Sequence, residues 1–234
     1  MSLVIVRIYH DLLGTYGDQG NAEVLIHRAK ARSVDVELVE VTPGMAIPRQ
    51  GNLYLLGGGE DGPQTASLDL MKEDGGLAAA VQSGATVFAV CAGFQVIGTT
   101  LPGHGGKIID GLGLVDAKTI VNAAPRSVGE LVVQPTNKSL PILTGFENHQ
   151  GLTDIGDGVT PLGQVLSGVG NGFNKTEGVW QGNVIGTYMH GPGLARNPEL
   201  ADAILESALG TKLTSFADPF AQALANERRS TLTR

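Results

Sequence analysis

Apolar residues in the first half of this chain gather in short β-rich runs, and between them they recur at helical spacing. The runs are Leu3 to Tyr9, Asp35 to Val41, Leu53 to Leu56 and Thr86 to Val90. Stretches near Gly20 to Ala31 and Gln64 to Gln82 carry the helical pattern, the second expected to break at Gly75-Gly76. Strands alternating with helices in this way predict an α/β fold, a mostly parallel central sheet with helices on both faces. From about Leu112 to Leu166 the pattern changes. Lys118–Val121, Glu130–Val133 and Gln164–Leu166 are short and separated by Gly, Pro and Asn, which predicts a β meander with loops. A last strand is expected over Val184–Met189, and a helix over Leu194–Leu209, with Pro198-Glu199 suited to a first turn and Ala201, Ile204, Leu205 and Ala208 as its apolar stripe. Beyond Pro219 the pattern predicts a short helix ending in a frayed, basic Arg228-Arg229 segment.

At 234 residues the chain has room for one large core or two small ones, and a single domain over 1–234 is the expectation. Sixteen basic against 23 acidic residues, spread without blocks, leave neither a nucleic-acid footprint nor a polybasic membrane patch. The expected partners are therefore small molecules and other proteins. The opening run is too short for a signal peptide and contains Arg7, and no later segment approaches the ~18 apolar residues of a membrane span. The one cysteine excludes an intramolecular disulfide and fits a reducing compartment, so a soluble, cytoplasmic protein is expected.

That cysteine, Cys91, stands where the run Thr86–Val90 breaks toward a helix, with the small residues Ala89, Ala92 and Gly93 around it. This is the pattern of a nucleophile elbow, a tight turn that lifts a reactive side chain above a parallel sheet. Thiol chemistry needs a base, and His190 ends the last strand of the same sheet, so both belong at the shared carboxyl edge. An imidazolium there, with a helix amino end, would lower the thiol pKa below ~8.5. Gly57-Gly58-Gly59 follows another strand, and its N–H groups with that of Ala92 suit an oxyanion hole. Singly, each piece has a plainer reading: a buried cysteine, a structural histidine, a glycine turn. Their order along the chain joins them. The remaining histidines, His10, His27, His104 and His149, lack metal-ligand spacing, and no metal site is expected.

With Cys91-Ala92-Gly93-Phe94-Gln95, Met189-His190-Gly191-Pro192 and the following Leu194–Asp202, the chain resembles class I glutamine amidotransferase domains (flavodoxin-like core) of the cobyric-acid-synthase-like branch. Tyr16–Asn21 and Gly145–Gly151 make it similar to GatD-type subunits of lipid II isoglutaminyl synthase. The resemblance implies hydrolysis of L-glutamine through a Cys91 thioester, with Gly58, Gly59 and Ala92 as oxyanion donors and Arg126 on the glutamine carboxylate. Gln95 either lines the pocket or caps the elbow helix. It also implies a heterodimer with a Mur-ligase-like, MurT-type synthetase that binds ATP and magnesium and amidates D-glutamate of the lipid II stem peptide. Gly57-Gly58-Gly59 lacks the Lys-Ser/Thr of a phosphate loop, so no cofactor is expected on this chain. Two positions depart from the wider family: Ala89 stands where Gly is usual, and Pro192 replaces the usual Glu two residues after the histidine. The completing carboxylate is then implied to come from the partner, with Asp18, Glu60, Asp61 and Glu147 as local candidates. Asp18 and Asn21 read more simply as turn and helix-capping residues. An amidotransferase for another acceptor such as a cobyrinic acid, a non-catalytic glutamine-sensing subunit and a cysteine hydrolase stay open at this point.

Overall fold

A computed structural model describes residues 2–121, 123 and 125–232. Its first half runs β1 (Ser2–Ile8), α1 (Gly20–Lys30), β2 (Asp35–Val41), β3 (Leu53–Leu56), α2 (Asp61–Asp74), α3 (Gly76–Gln82), β4 (Thr86–Val90) and α4 (Ala92–Ile97). Every residue of β3 and β4 is buried, and β1 sets Leu3, Ile5, Val6 and Ile8 into the core. Each such side chain contributes roughly 1.5–3 kcal/mol relative to exposure. β2 instead exposes Asp35, Glu37 and Glu40, the charge pattern that keeps an edge strand from pairing further. The expected interruption between α2 and α3 falls at Gly75, whose φ of 68° lies in the left-handed region that favours glycine.

The middle forms eight strands: β5 (Thr100–Pro102), β6 (Ile108–Asp110), β7 (Ala117–Val121), β8 (Ser127–Pro135), β9 (Leu143–His149), β10 (Gly151–Ile155), β11 (Gly163–Ser167) and β12 (Thr176–Glu177). They build two four-stranded sheets, ordered β10-β7-β5-β6 and β12-β11-β8-β9, in place of a single meander. β9 is a full strand that was not among the expected runs. Its buried face carries Glu147 and His149, which inverts the polarity that marks a strand in sequence.

The chain closes with β13 (Val179–Gln181), β14 (Val184–Thr187), α5 (Gly193–Arg196), α6 (Pro198–Leu209) and α7 (Pro219–Leu232). The helix expected over Leu194–Leu209 is broken at Asn197, whose side-chain amide donates to Thr144 O and Gly193 O and accepts from Thr144 N–H. The helix expected beyond Pro219 is the 14-residue α7, and it continues through Arg228-Arg229, where fraying was expected. Arg229 anchors it, donating to Glu199 Oε2 at 2.6 Å and to Ile142 O at 2.9 Å.

The six-stranded sheet has the order β13-β14-β4-β3-β1-β2, parallel except for β13. The chain leaves β1 for β2 on one side and returns to β3 on the other. Carboxyl ends of β1, β3, β4 and β14 therefore share one edge next to a change of winding, the place where α/β sheets bind ligands. α1, α5 and α6 pack on one another, and α2 packs with α3 and α4. Among the described residues no helix is long and apolar enough to cross a membrane.

Candidate active site

Four segments meet at that edge, one after each of four parallel strands: the β1–α1 loop with Asp18, the glycine run after β3, Cys91 after β4 and His190 after β14. Cys91 adopts φ 50° and ψ −105°, a conformation that costs a non-glycine residue about 1–3 kcal/mol. Hydrogen bonds on both sides hold it there, Cys91 N–H to Thr187 O at 2.8 Å and Gly93 N–H to Gly57 O at 3.1 Å. The need for small neighbours is explicit at Gly93, where a Cβ would lie 2.7 Å from Leu56 Cβ.

The register pairs Thr187 with Val90, which puts His190 on the segment beside the elbow. His190 is 1% exposed; its Nδ1 is 2.8 Å from Asp18 Oδ2, while Nε2 is buried with no hydrogen-bond partner among the described residues. Asp18 also accepts N–H groups from Gly58 at 2.8 Å and Gly191 at 3.1 Å. The carboxylate beside the imidazole thus lies within the chain, delivered by the β1–α1 loop. Neither Asp18 nor Asn21 caps α1; Asn21 Oδ1 accepts Leu194 N–H and ties α1 to α5. Tyr16, at φ 62°, lays its ring edge-on against His190 with centroids 4.9 Å apart. The other local carboxylate candidates lie elsewhere: Glu60 and Asp61 on the cavity wall, Glu147 in a buried pair with His149.

Gly58 was expected among the oxyanion donors, but its N–H is committed to Asp18. A side chain at Gly58 would meet the imidazole, since its Cβ would stand 2.5 Å from His190 Cε1. Gly59 and Ala92 line a cavity of about 110 Å³ together with Cys91, Gln95 and Arg126. Gln95 makes no helix cap; it donates to Tyr188 Oη at 3.1 Å, accepts from Gln64 Nε2 at 2.8 Å and lines the cavity. Arg126 is exposed and donates from Nε and Nη2 to Asn148 Oδ1 and O. Of the residues just before it, Asn122 and Ala124 lie outside the described ones.

A lowered thiol pKa was expected, and the opposite is found. Burial first, and then the Asp18 carboxylate, push the Cys91 thiol up to about 12, although Arg126 opposes them. The resting site holds a thiol, and its proton must leave as the sulfur reacts.

An α/β sheet with an elbow cysteine and an Asp-His couple on one edge defines the class of protein, and sequence comparison gives the same answer: the chain belongs to the CobB/CobQ-like glutamine amidotransferase domain family, whose model matches residues 4–198. It is accordingly an enzyme of the glutamine amidotransferase class. Among its relatives is the lipid II isoglutaminyl synthase (glutamine-hydrolyzing) subunit GatD of Streptococcus pneumoniae (strain ATCC BAA-255 / R6), 34% identical over 235 residues, 96% of this chain and 90% of that one. The subunit of the same name from Staphylococcus aureus (strain N315) is 35% identical over 220 residues, 90% of this chain and 87% of that one. A crystal structure of a glutamine amidotransferase shares the fold, with TM-score 0.60 and 21% identity across 87% of this chain and 98% of that chain.

Proposed function

We propose that this chain is the glutaminase subunit of a lipid II isoglutaminyl synthase. Its similarity to GatD subunits along nearly the whole length supports the assignment. The observation that carries the chemistry is the Asp18–His190 couple, with one imidazole nitrogen free, on the segment next to Cys91.

L-Glutamine enters the cavity with its α-carboxylate on Arg126, whose planar guanidinium suits a carboxylate, and its α-ammonium toward Glu60 on the same wall. As Cys91 Sγ attacks the side-chain carbonyl carbon, its proton passes to His190 Nε2, and Asp18 stabilises the imidazolium that forms. The N–H groups of Gly59 and Ala92 hold the oxyanion; one such donor is typically worth about 10²–10³ in rate. The C–N bond then breaks, and His190 returns its proton to the departing nitrogen, releasing ammonia. Water attacks the thioester next and gives a proton to His190. The C–S bond breaks, the thiol regains its proton, and glutamate leaves.

Ammonia is consumed by a Mur-ligase-like, MurT-type synthetase subunit, which binds ATP and magnesium and activates the α-carboxyl of D-glutamate in the lipid II stem peptide, yielding D-isoglutamine. The naming of the relatives as subunits supports an assembled enzyme of this kind. The test is labelling with a glutamine-mimicking diazoketone, alone and with the synthetase, read by peptide mass spectrometry. The expected result is an adduct on Cys91 and ammonia release abolished by Cys91→Ser. No adduct in either state would instead leave a glutamine-sensing subunit.

A further inference from the structure

Glu147 and His149 occupy alternate positions of β9, each only 2% exposed, in a place where apolar side chains would be ordinary. Both oxygens of Glu147 are engaged by backbone, Oε1 by Val169 N–H and Oε2 by Gly170 N–H, each at 2.8 Å. His149 Nδ1 lies 2.9 Å from Gly151 O, and because a carbonyl only accepts, that nitrogen carries a proton. Its Nε2 faces Glu147 Oε2 at 3.3 Å. The ring is thus held at both nitrogens. It stacks on Tyr188, centroids 4.0 Å apart at 24°, and the Tyr188 hydroxyl is fixed by Thr153 and Gln95.

Between the two, on the opposite face of the strand, stands Asn148. Its Oδ1 and O accept from Arg126, and its O lies 4.0 Å from Cys91 Sγ. His149, Gln150 and Gly151 themselves line the cavity. Apolar residues at 147 and 149 would fill the space but leave the N–H groups of Val169 and Gly170 and the carbonyl of Gly151 without these partners. An ion pair fully bonded to backbone is costly to desolvate and fixes one geometry.

We propose that Glu147 and His149 are positioning residues for glutamine: a buried ion pair that pins the corner between β9 and β10 and so sets Asn148 and Arg126 where the substrate carboxylate binds. The proposal rests on the glutaminase reading. In the full-length chain assembled with its synthetase, Glu147→Gln raises KM for glutamine about tenfold, the loss of roughly one charge-assisted hydrogen bond. It leaves kcat within about threefold, because the Cys91, His190 and Asp18 machinery is untouched. The rate at which iodoacetamide alkylates Cys91 changes less than KM does, because burial and Asp18 act on the thiol more strongly than Arg126. His149→Asn, which keeps an N–H for Gly151 O but removes the ring and its charge, gives the same KM shift. Nitrogen-15 NMR of the wild-type chain at pH 7 shows both His149 ring nitrogens protonated, a readout independent of how either variant folds. A neutral His149 ring overturns the proposal, as does an unchanged KM in both variants. A KM rise matched by equal losses of kcat and Cys91 reactivity also overturns it. Wild-type protein that releases no ammonia and takes no diazoketone label refutes the glutaminase reading itself, whatever the variants do.

Discussion

Asp18→Asn separates two effects that the wild-type carboxylate combines. The side chain is fully buried and accepts from Gly58 N–H, Gly191 N–H and His190 Nδ1. Asn offers one oxygen and one amide group in the same space, so the amide must face either the imidazole, forcing its other tautomer, or the Gly191 N–H. It also withdraws the negative charge from the imidazolium formed when Cys91 gives up its proton. Removing one partner of a buried charged pair costs about 3–5 kcal/mol. At about 1.4 kcal/mol per decade, kcat falls roughly 10²–10⁴-fold. The thiol moves the other way. After burial, Asp18 is the next influence holding Cys91 up to about 12, so neutralising it lowers that value and speeds alkylation of the free enzyme at pH 8. Ammonia release followed by coupled glutamate dehydrogenase, and iodoacetamide kinetics followed by intact mass, read the two arms. Turnover within tenfold of wild type would falsify the assignment of Asp18 as the third member of the triad. Equal losses in both arms would point to general disruption instead.

Arg126→Lys keeps the charge but loses the planar fork, and KM for glutamine rises about tenfold with kcat little changed; wild-type KM in the variant removes Arg126 from the carboxylate site. Burial pushes the Glu177 carboxyl from 4.5 up to about 7, so between these values the unfolded chain ionises while the folded one stays protonated, and stability falls as pH rises by about 3 kcal/mol in all. Glu177→Gln, which still accepts from Thr187 and Tyr188, abolishes that slope and is more stable than wild type at pH 8 in urea titrations; parallel pH profiles for the two proteins contradict this. A Cβ on Gly186 would lie 2.2 Å from Phe94 Cδ2, so Gly186→Ala costs about 1–3 kcal/mol. Phe94→Leu in the same chain recovers part of it, and strictly additive losses would show that the two residues do not compete for the space.

What the sequence made legible was whatever continuous burial or strand order encodes. β1, β3 and β4 are apolar because parallel strands are covered on both faces, and Cys91 and His190 could be set on one edge because their strands end there. Asp18 was illegible for the complementary reason. Its neighbours carry turn chemistry, while its partners Gly58 and His190 are 40 and 172 residues away. The same contact explains why Gly58 is not free for an oxyanion. β9 was hidden because the buried polar side chains Glu147 and His149 mimic a loop, and the order of the last turns of α7 because their anchor, Glu199, lies on another helix. In each case the missing information is a long-range polar contact, which local pattern does not contain.

The 7% exposure of Cys91 and its upward-shifted thiol bear on oxidative damage. That shift keeps the sulfur protonated at pH 7, and peroxide reacts with the anion. The sequence has no second cysteine to capture a sulfenic acid as an intramolecular disulfide. A buried, protonated Cys91 is therefore expected to be oxidised by peroxide more slowly than a surface thiol, a difference that intact-mass kinetics in the absence of glutamine would read.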